Sequence, residues 1–168
     1  MATYAWEAGG RKHHHVKKTG TVVFNPNSHV SNSFDDCKEL SAETADALRT
    51  KLGFMEFLPA QAQCFKGVSN GRDVILHSRT GSGKTLAYVL PVLERFLAAQ
   101  AALNDEEKAL QQAIPAAPFL VVFVFGNELA VQTKSVIESV YGDRVNVAVA
   151  GFDTITTETP VDVLVGTL

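Results

Sequence analysis

The chain has 168 residues, 46% of them hydrophobic, and a formal net charge of −3. That length holds one domain with an ordinary core, and the slightly acidic balance does not advertise a nucleic-acid binder. No apolar run approaches the ~20 residues of a membrane-spanning helix, and Cys37 and Cys64 are too unpatterned for a disulfide framework or a zinc site. The expectation is a soluble intracellular protein of a reducing compartment with no membrane partner.

Residues 1–33 are polar, with Gly9, Gly10, Pro26 and several Asn and Ser, and read as an extended or disordered arm. Its one basic cluster, "RKHHHVKK" at 11–18, fits a solvated tail better than a phosphate-gripping patch. Nothing nearby completes a metal site with His13, His14 and His15. The N-terminus lacks the apolar stretch of a secretory signal, and its basic residues do not establish a transit peptide. Cytoplasm, nucleus and mitochondrial matrix therefore stay open. Residues 34–70 carry helical spacing, in which "SAETADALRTKLGF" takes Ser41 as N-cap, buries Leu48 and Leu52, and stops at Gly53.

"DVILHS" at 73–78 is short, apolar and bounded by "NGR", and reads as a buried strand. "KTLAYVLPVLERF" at 84–96 sets Leu86, Val89, Leu90, Leu93 and Phe96 at helical spacing, with Pro91 kinking that helix without ending it. Between them lies "SRTGSGKT" at 78–85, close to the phosphate-loop pattern G-x-x-x-x-G-K-[ST] but with Ser78 in the first position. Gly81 and Gly83 let the backbone N–H groups around Arg79, Thr80 and Ser82 curl toward an anion, and a helix N-terminus follows. Lys84 reaches the β and γ phosphates as a point charge, and Thr85 offers its hydroxyl to Mg²⁺. The loop is expected to bind a nucleoside triphosphate.

"AAQAALNDEEKALQQAIPAAP", about 98–118, reads as an exposed insertion. Asn104 and Glu107 form a capping box there, and Pro115 and Pro118 close it. Then "FLVVFVF" at 119–125 has the continuous apolar character of a strand covered on both faces. A helix over 128–140 and strands at 145–150 and 161–166 follow. Strands alternating with helices predict an α/β fold, a parallel sheet with flanking helices and its ligand at the carboxyl ends of the strands.

"GFMEFLPAQ" at 53–61, then "SRTGSGKT", "NELAVQ" and "VDVLVGT", together resemble the first RecA-like domain of DEAD-box RNA helicases, from Phe34 to Leu168. The resemblance makes 34–168 part of a RecA-like phosphate-loop NTPase domain, with a Q motif over about 34–61. It implies that Gln61 reads adenine, that Phe34 stacks on the base, and that ATP, Mg²⁺ and RNA are the ligands. The chemistry agrees, because an amide offers the donor and acceptor that match the N6 and N7 edge of adenine.

The departures bear on RNA. Where the family has Pro-Thr-Arg-Glu-Leu-Ala, this chain reads Phe125, Gly126, Asn127, Glu128, Leu129, Ala130, and a neutral Asn127 stands in place of the phosphate-gripping arginine. The family's glycine pair appears as Ala150 and Gly151, and its Thr-Pro-Gly-Arg motif starts at Thr167 and becomes Leu168. Asn127, Gly151 and Thr167 are thus weak RNA-contact candidates. The Asp-Glu-Ala-Asp strand and the second RecA-like domain do not occur in these residues, so the domain is expected to be incomplete and inactive alone, with a sheet edge for a protein or ribonucleoprotein partner to cover. The functions consistent with this pattern are an ATP-dependent RNA helicase, a degenerate inactive helicase-like subunit of a ribonucleoprotein, and another phosphate-loop NTPase. The last has no reason to carry "GFMEFLPAQ".

Overall fold

A computed structural model of the chain describes residues 30–106, 117–156 and 160–167. The basic cluster, the three histidines, the middle of the 98–118 stretch and Leu168 lie outside the described residues.

The helices follow their local signals. Helix α1 (Ala42–Leu52) begins where the Ser41 hydroxyl accepts from Thr44 N, and ends at Gly53 with φ 71°. Helix α2 (Pro59–Ser69) opens on a proline, whose missing N–H costs nothing in a first turn. Helix α3 (Lys84–Ala102) runs through Pro91, and all five residues of the predicted stripe from Leu86 to Phe96 are buried. Helix α4 (Asn127–Tyr141) buries Ala130, Thr133, Ile137, Val140 and Tyr141. The last residues of the polar arm are held in place. Val30 packs on the core, Ser33 bridges Glu56, and Phe57 N donates to Asn32 O at 2.8 Å.

Strands β1 (Leu120–Val124), β2 (Val147–Val149) and β3 (Val163–Thr167) form a parallel sheet in the order β1-β3-β2. Register pairs Val122 with Val165 and Val149 with Val165, so these valines share the face on which α4 packs.

Two expectations about strands are corrected. "DVILHS" is not a strand: residues 72–79 have no regular structure and Ile75 is 80% exposed. Its apolar composition marks a segment suited to burial, but a strand also needs a hydrogen-bonding neighbour, and among the described residues none pairs with it. The second concerns β1, expected to be covered on both faces. Helix α4 covers one face only, and Val121 and Phe123 on the other are exposed.

Candidate nucleotide site

The phosphate loop turns on two glycines in the left-handed region, Gly81 at φ 79° and Gly83 at φ 74°. Gly83 is required twice over, because a Cβ there would also overlap Gln61 Nε2. It is the N-cap of α3 with no side chain capping it, so the first-turn N–H groups of the helix and its positive dipole end face the loop. Ser78 and Ser82 join their hydroxyls at 2.6 Å across the turn, while Arg79 and Thr80 are exposed at its tip. Lys84 Nζ donates to Ser78 O at 2.9 Å and Arg79 O at 2.6 Å, which leaves one of its three N–H groups for a phosphoryl oxygen. Thr85 follows at the helix start. Burial pushes the Tyr88 phenol up.

Gln61 occupies the first turn of α2, where its Oε1 accepts from Leu58 N at 2.8 Å. Its Nε2 donates to Gly83 O at 3.1 Å. The glutamine is therefore both a helix-start residue and a contact to the phosphate loop. Beneath it is a cavity of about 220 Å³ with Phe34, Leu48, Leu86 and Leu90 in its walls. Phe34 reaches this cavity but is itself buried, edge-on to Phe57 at 4.7 Å and with the Arg49 guanidinium 5.5 Å from its ring centroid. An apolar slot, an amide with a free lone pair and N–H, and a glycine loop at a helix N-terminus together fit a purine nucleotide. A larger hollow of about 560 Å³ beside β2 has no such loop, and its Lys134 and Asp153 are already paired at 2.8 Å. It is the lesser candidate despite its size.

Among the described residues no group of three or more His, Cys, Asp or Glu is arranged to hold a metal ion. The contribution predicted for Mg²⁺ is thus one hydroxyl, that of Thr85. Burial raises both cysteine thiols, so neither is poised as a nucleophile.

The weak RNA-contact candidates sit at one edge. Asn127 opens α4 just after β1, Gly151 turns with φ 81° after β2, and Thr167 ends β3 opposite Val124. All three are exposed. A parallel sheet brings such residues to its carboxyl edge whatever their sequence separation.

Sequence reasoning missed the polar residues inside the helical half. Glu94 is 4% exposed and bonds to Ser41, Thr44 and Tyr141. A signal existed: Glu94 lies one turn past Leu90, on the apolar stripe of α3, where a charge demands partners.

A profile of the DEAD/DEAH box helicase family matches residues 58–167. Among curated proteins, the chain is 32% identical over 101 residues to Nucleolar RNA helicase 2-A of Xenopus laevis, covering 60% of this chain and 12% of that protein. It is 38% identical over 95 residues to the pre-mRNA-processing ATP-dependent RNA helicase PRP5 of Kluyveromyces lactis, covering 56% and 11%. The chain thus spans only about an eighth or less of these relatives. Two solved structures share the fold. The yeast DEAD-box splicing factor Prp28 superposes with TM-score 0.65 at 21% identity, over 80% of this chain and 32% of that one. A DEAD box protein from Methanococcus jannaschii superposes with TM-score 0.61 at 24% identity, over 82% and 35%. The three-stranded parallel sheet with flanking helices is accordingly a RecA-like arrangement, and the chain belongs to the DEAD/DEAH box helicase family.

Proposed function

We propose that this chain supplies the ATP-binding site of an RNA helicase, with adenine beneath Gln61 and the phosphates on the loop from Ser78 to Thr85. The whole protein then couples ATP binding and hydrolysis to the remodelling of RNA or a ribonucleoprotein. One observation carries the reading: Gln61 donates to Gly83 O, which ties the base-reading side chain to the phosphate loop.

The chemistry follows from what each group has left to offer. Gln61 retains one lone pair on Oε1 and one N–H on Nε2, the complement of the N6 and N7 edge of adenine. Guanine presents a carbonyl oxygen where adenine presents an amine, so the same amide orientation disfavours GTP. Lys84 adds a fixed positive charge beside the helix N-terminus, and Thr85 would offer its hydroxyl to the metal. Mg²⁺, when bound with ATP, supplies neutralisation of the β and γ oxygens. At the carboxyl edge, Asn127, Gly151 and Thr167 contact the RNA backbone through neutral groups, a weaker grip than arginine gives.

The 168 residues contain no Asp-Glu-Ala-Asp run, and on their own they bind ATP without hydrolysing it at a useful rate. Arginine fingers alone are worth about 10³ to 10⁵ in rate in related phosphoryl transfers. The second reading, an inactive helicase-like subunit of a ribonucleoprotein, is favoured by one feature, the exposed neutral Asn127.

Calorimetric titration with ATP tests the site. Lys84→Ala is expected to weaken ATP about a hundredfold, as loss of charge-assisted contacts to phosphate requires. Equal affinity in variant and parent would sink the phosphate-loop reading. An ATPase rate from these residues that rises on adding RNA would overturn the claim that they are inactive alone.

A further inference from the structure

The helices around the site meet at a carboxylate outside the base cavity. Glu94 of α3 accepts from Ser41 N at 2.7 Å, from the Thr44 hydroxyl at 2.7 Å and from the Tyr141 hydroxyl at 3.2 Å. These donors come from the start of α1 and the end of α4. Thr44 Oγ1 itself accepts from Ser41 Oγ at 2.9 Å and from Arg144 Nη1 and Nη2, each at 3.2 Å. With its acceptor capacity taken, its own proton is directed to Glu94. Burial, and then the neighbouring Glu94 charge, pushes the Tyr141 phenol far up, so that it stays protonated and donates. Arg144 completes the cluster, 5.1 Å from the Tyr141 ring centroid and paired with Glu43 at 3.2 Å.

The placement of this cluster gives it a role. Leu86, Leu90 and Glu94 succeed one another by single turns along α3, and Thr44 lies one turn before Leu48 on α1. Leu48, Leu86 and Leu90 line the cavity beneath Gln61. The wall of the base cavity and the Thr44–Glu94 contact therefore lie on successive turns of α1 and α3, which meet through these side chains while the body of α1 packs on α4.

We propose that Glu94 is a positioning residue for the nucleotide base: by holding Ser41 and Thr44 against α3, it sets the spacing of Leu48 from Leu86 and Leu90 and so the fit of the adenine slot. The base-positioning role rests on the nucleotide reading above, while the lock between helices stands on its own geometry. Every partner donates into Glu94, and the Thr44 oxygen is already taken by donors, so an amide cannot satisfy Ser41 N–H and the Thr44 hydroxyl together. Glu94→Gln would turn an N–H group toward either Ser41 N–H or the saturated Thr44 hydroxyl, and a buried donor left facing a donor is costly.

The test uses the full chain, Glu94→Gln, and Thr44→Val as a second variant should the first fail to fold. Hydrogen exchange reads the lock without any nucleotide. In either variant the α1 amides are expected to exchange about tenfold faster, the loss of one buried hydrogen bond, with β1 and β3 amides unchanged. Calorimetry with ATP and with inorganic tripolyphosphate reads the site. ATP is expected to weaken about tenfold while tripolyphosphate, which has no base, binds as in the parent. Thr44→Ser, which keeps the hydroxyl, is expected to restore what Thr44→Val loses. Unchanged α1 exchange overturns the lock. Faster exchange with ATP and tripolyphosphate weakened alike, or neither weakened, overturns the positioning role and leaves the nucleotide reading intact. A parent that binds neither ligand sinks the nucleotide reading and the positioning role together, and the exchange result then stands for the lock alone.

Discussion

The helical half (α1, α2 and α3) encloses most of its phenylalanines, whereas the sheet half (β1 to β3 with α4) leaves its own exposed and buries only Tyr141 among its aromatic rings. Phe34, Phe57 and Phe65 of the first are buried and in contact one after another, edge-on and then tilted, with ring centroids 4.7 and 5.4 Å apart. Phe123 and Phe125 of the second are largely exposed. A set of amphipathic helices can enclose its own apolar faces, whereas a sheet has two faces and two edges, and α4 covers only one face here. The proposed nucleotide site thus lies where packing is closed and side-chain hydrogen bonds hold loop to helix. The residues proposed to meet RNA stand on the open half.

The comparison is broken most severely at α3, whose buried stripe both halves share. Leu93→Ala leaves a cavity at a fully buried position and is expected to cost about 2–5 kcal/mol, read from the urea midpoint and m-value. A loss under about 1 kcal/mol would mean that the halves do not share one core. At the site itself, Gln61→Ala is expected to narrow the preference for ATP over GTP by about 1–3 kcal/mol in competition binding. A parent that takes both nucleotides equally would remove the base-reading role.

Smaller effects belong to the sheet half. Hydrogen bonds from Lys134, and then from Val149 N, hold the Asp153 carboxyl below its ordinary value. A carboxyl depressed by folding adds stability above the ordinary value near ~3.9, and that stability is lost as pH falls from there through the depressed value. Burial raises Asp162, which has the opposite sign: its stability penalty develops as pH climbs from ~3.9 through the raised value. Asp153→Asn is expected to flatten the acid limb of a urea-midpoint profile below about pH 4. The total is below about 1 kcal/mol, since both partners of the pair are partly exposed. Least of all, Phe123→Ser should stay within about 0.5 kcal/mol, because that ring is 65% exposed. A cost like that of Leu93→Ala would show that the open face is covered in solution.

The candidate site was legible where chemistry is local. Ser41 and Gly53 as the ends of α1, the buried stripe of α3 through Pro91, and the two left-handed glycines of the phosphate loop each depend on residues within a few positions. The ring of donors around Glu94 was not legible, because Ser41, Thr44 and Tyr141 lie some fifty residues away along the chain and only packing brings them together. "DVILHS" and "FLVVFVF" show the other limit. Apolar composition states that a segment is suited to burial, but not whether a neighbouring strand or helix is present to bury it.

By itself, then, the sequence determined both ends of α1, the start of α3, the loop conformation at Gly81 and Gly83, and the alternation that makes a parallel α/β sheet, while α3 ran on to Ala102, past the expected Phe96 and into the expected insertion. The tertiary structure decided which apolar segments became strands, that Gln61 would close on Gly83, and that Glu94 would gather three helices. The reason is physical: hydrogen-bond ladders and buried polar contacts are pairwise, and their partners are chosen by the packing of distant elements.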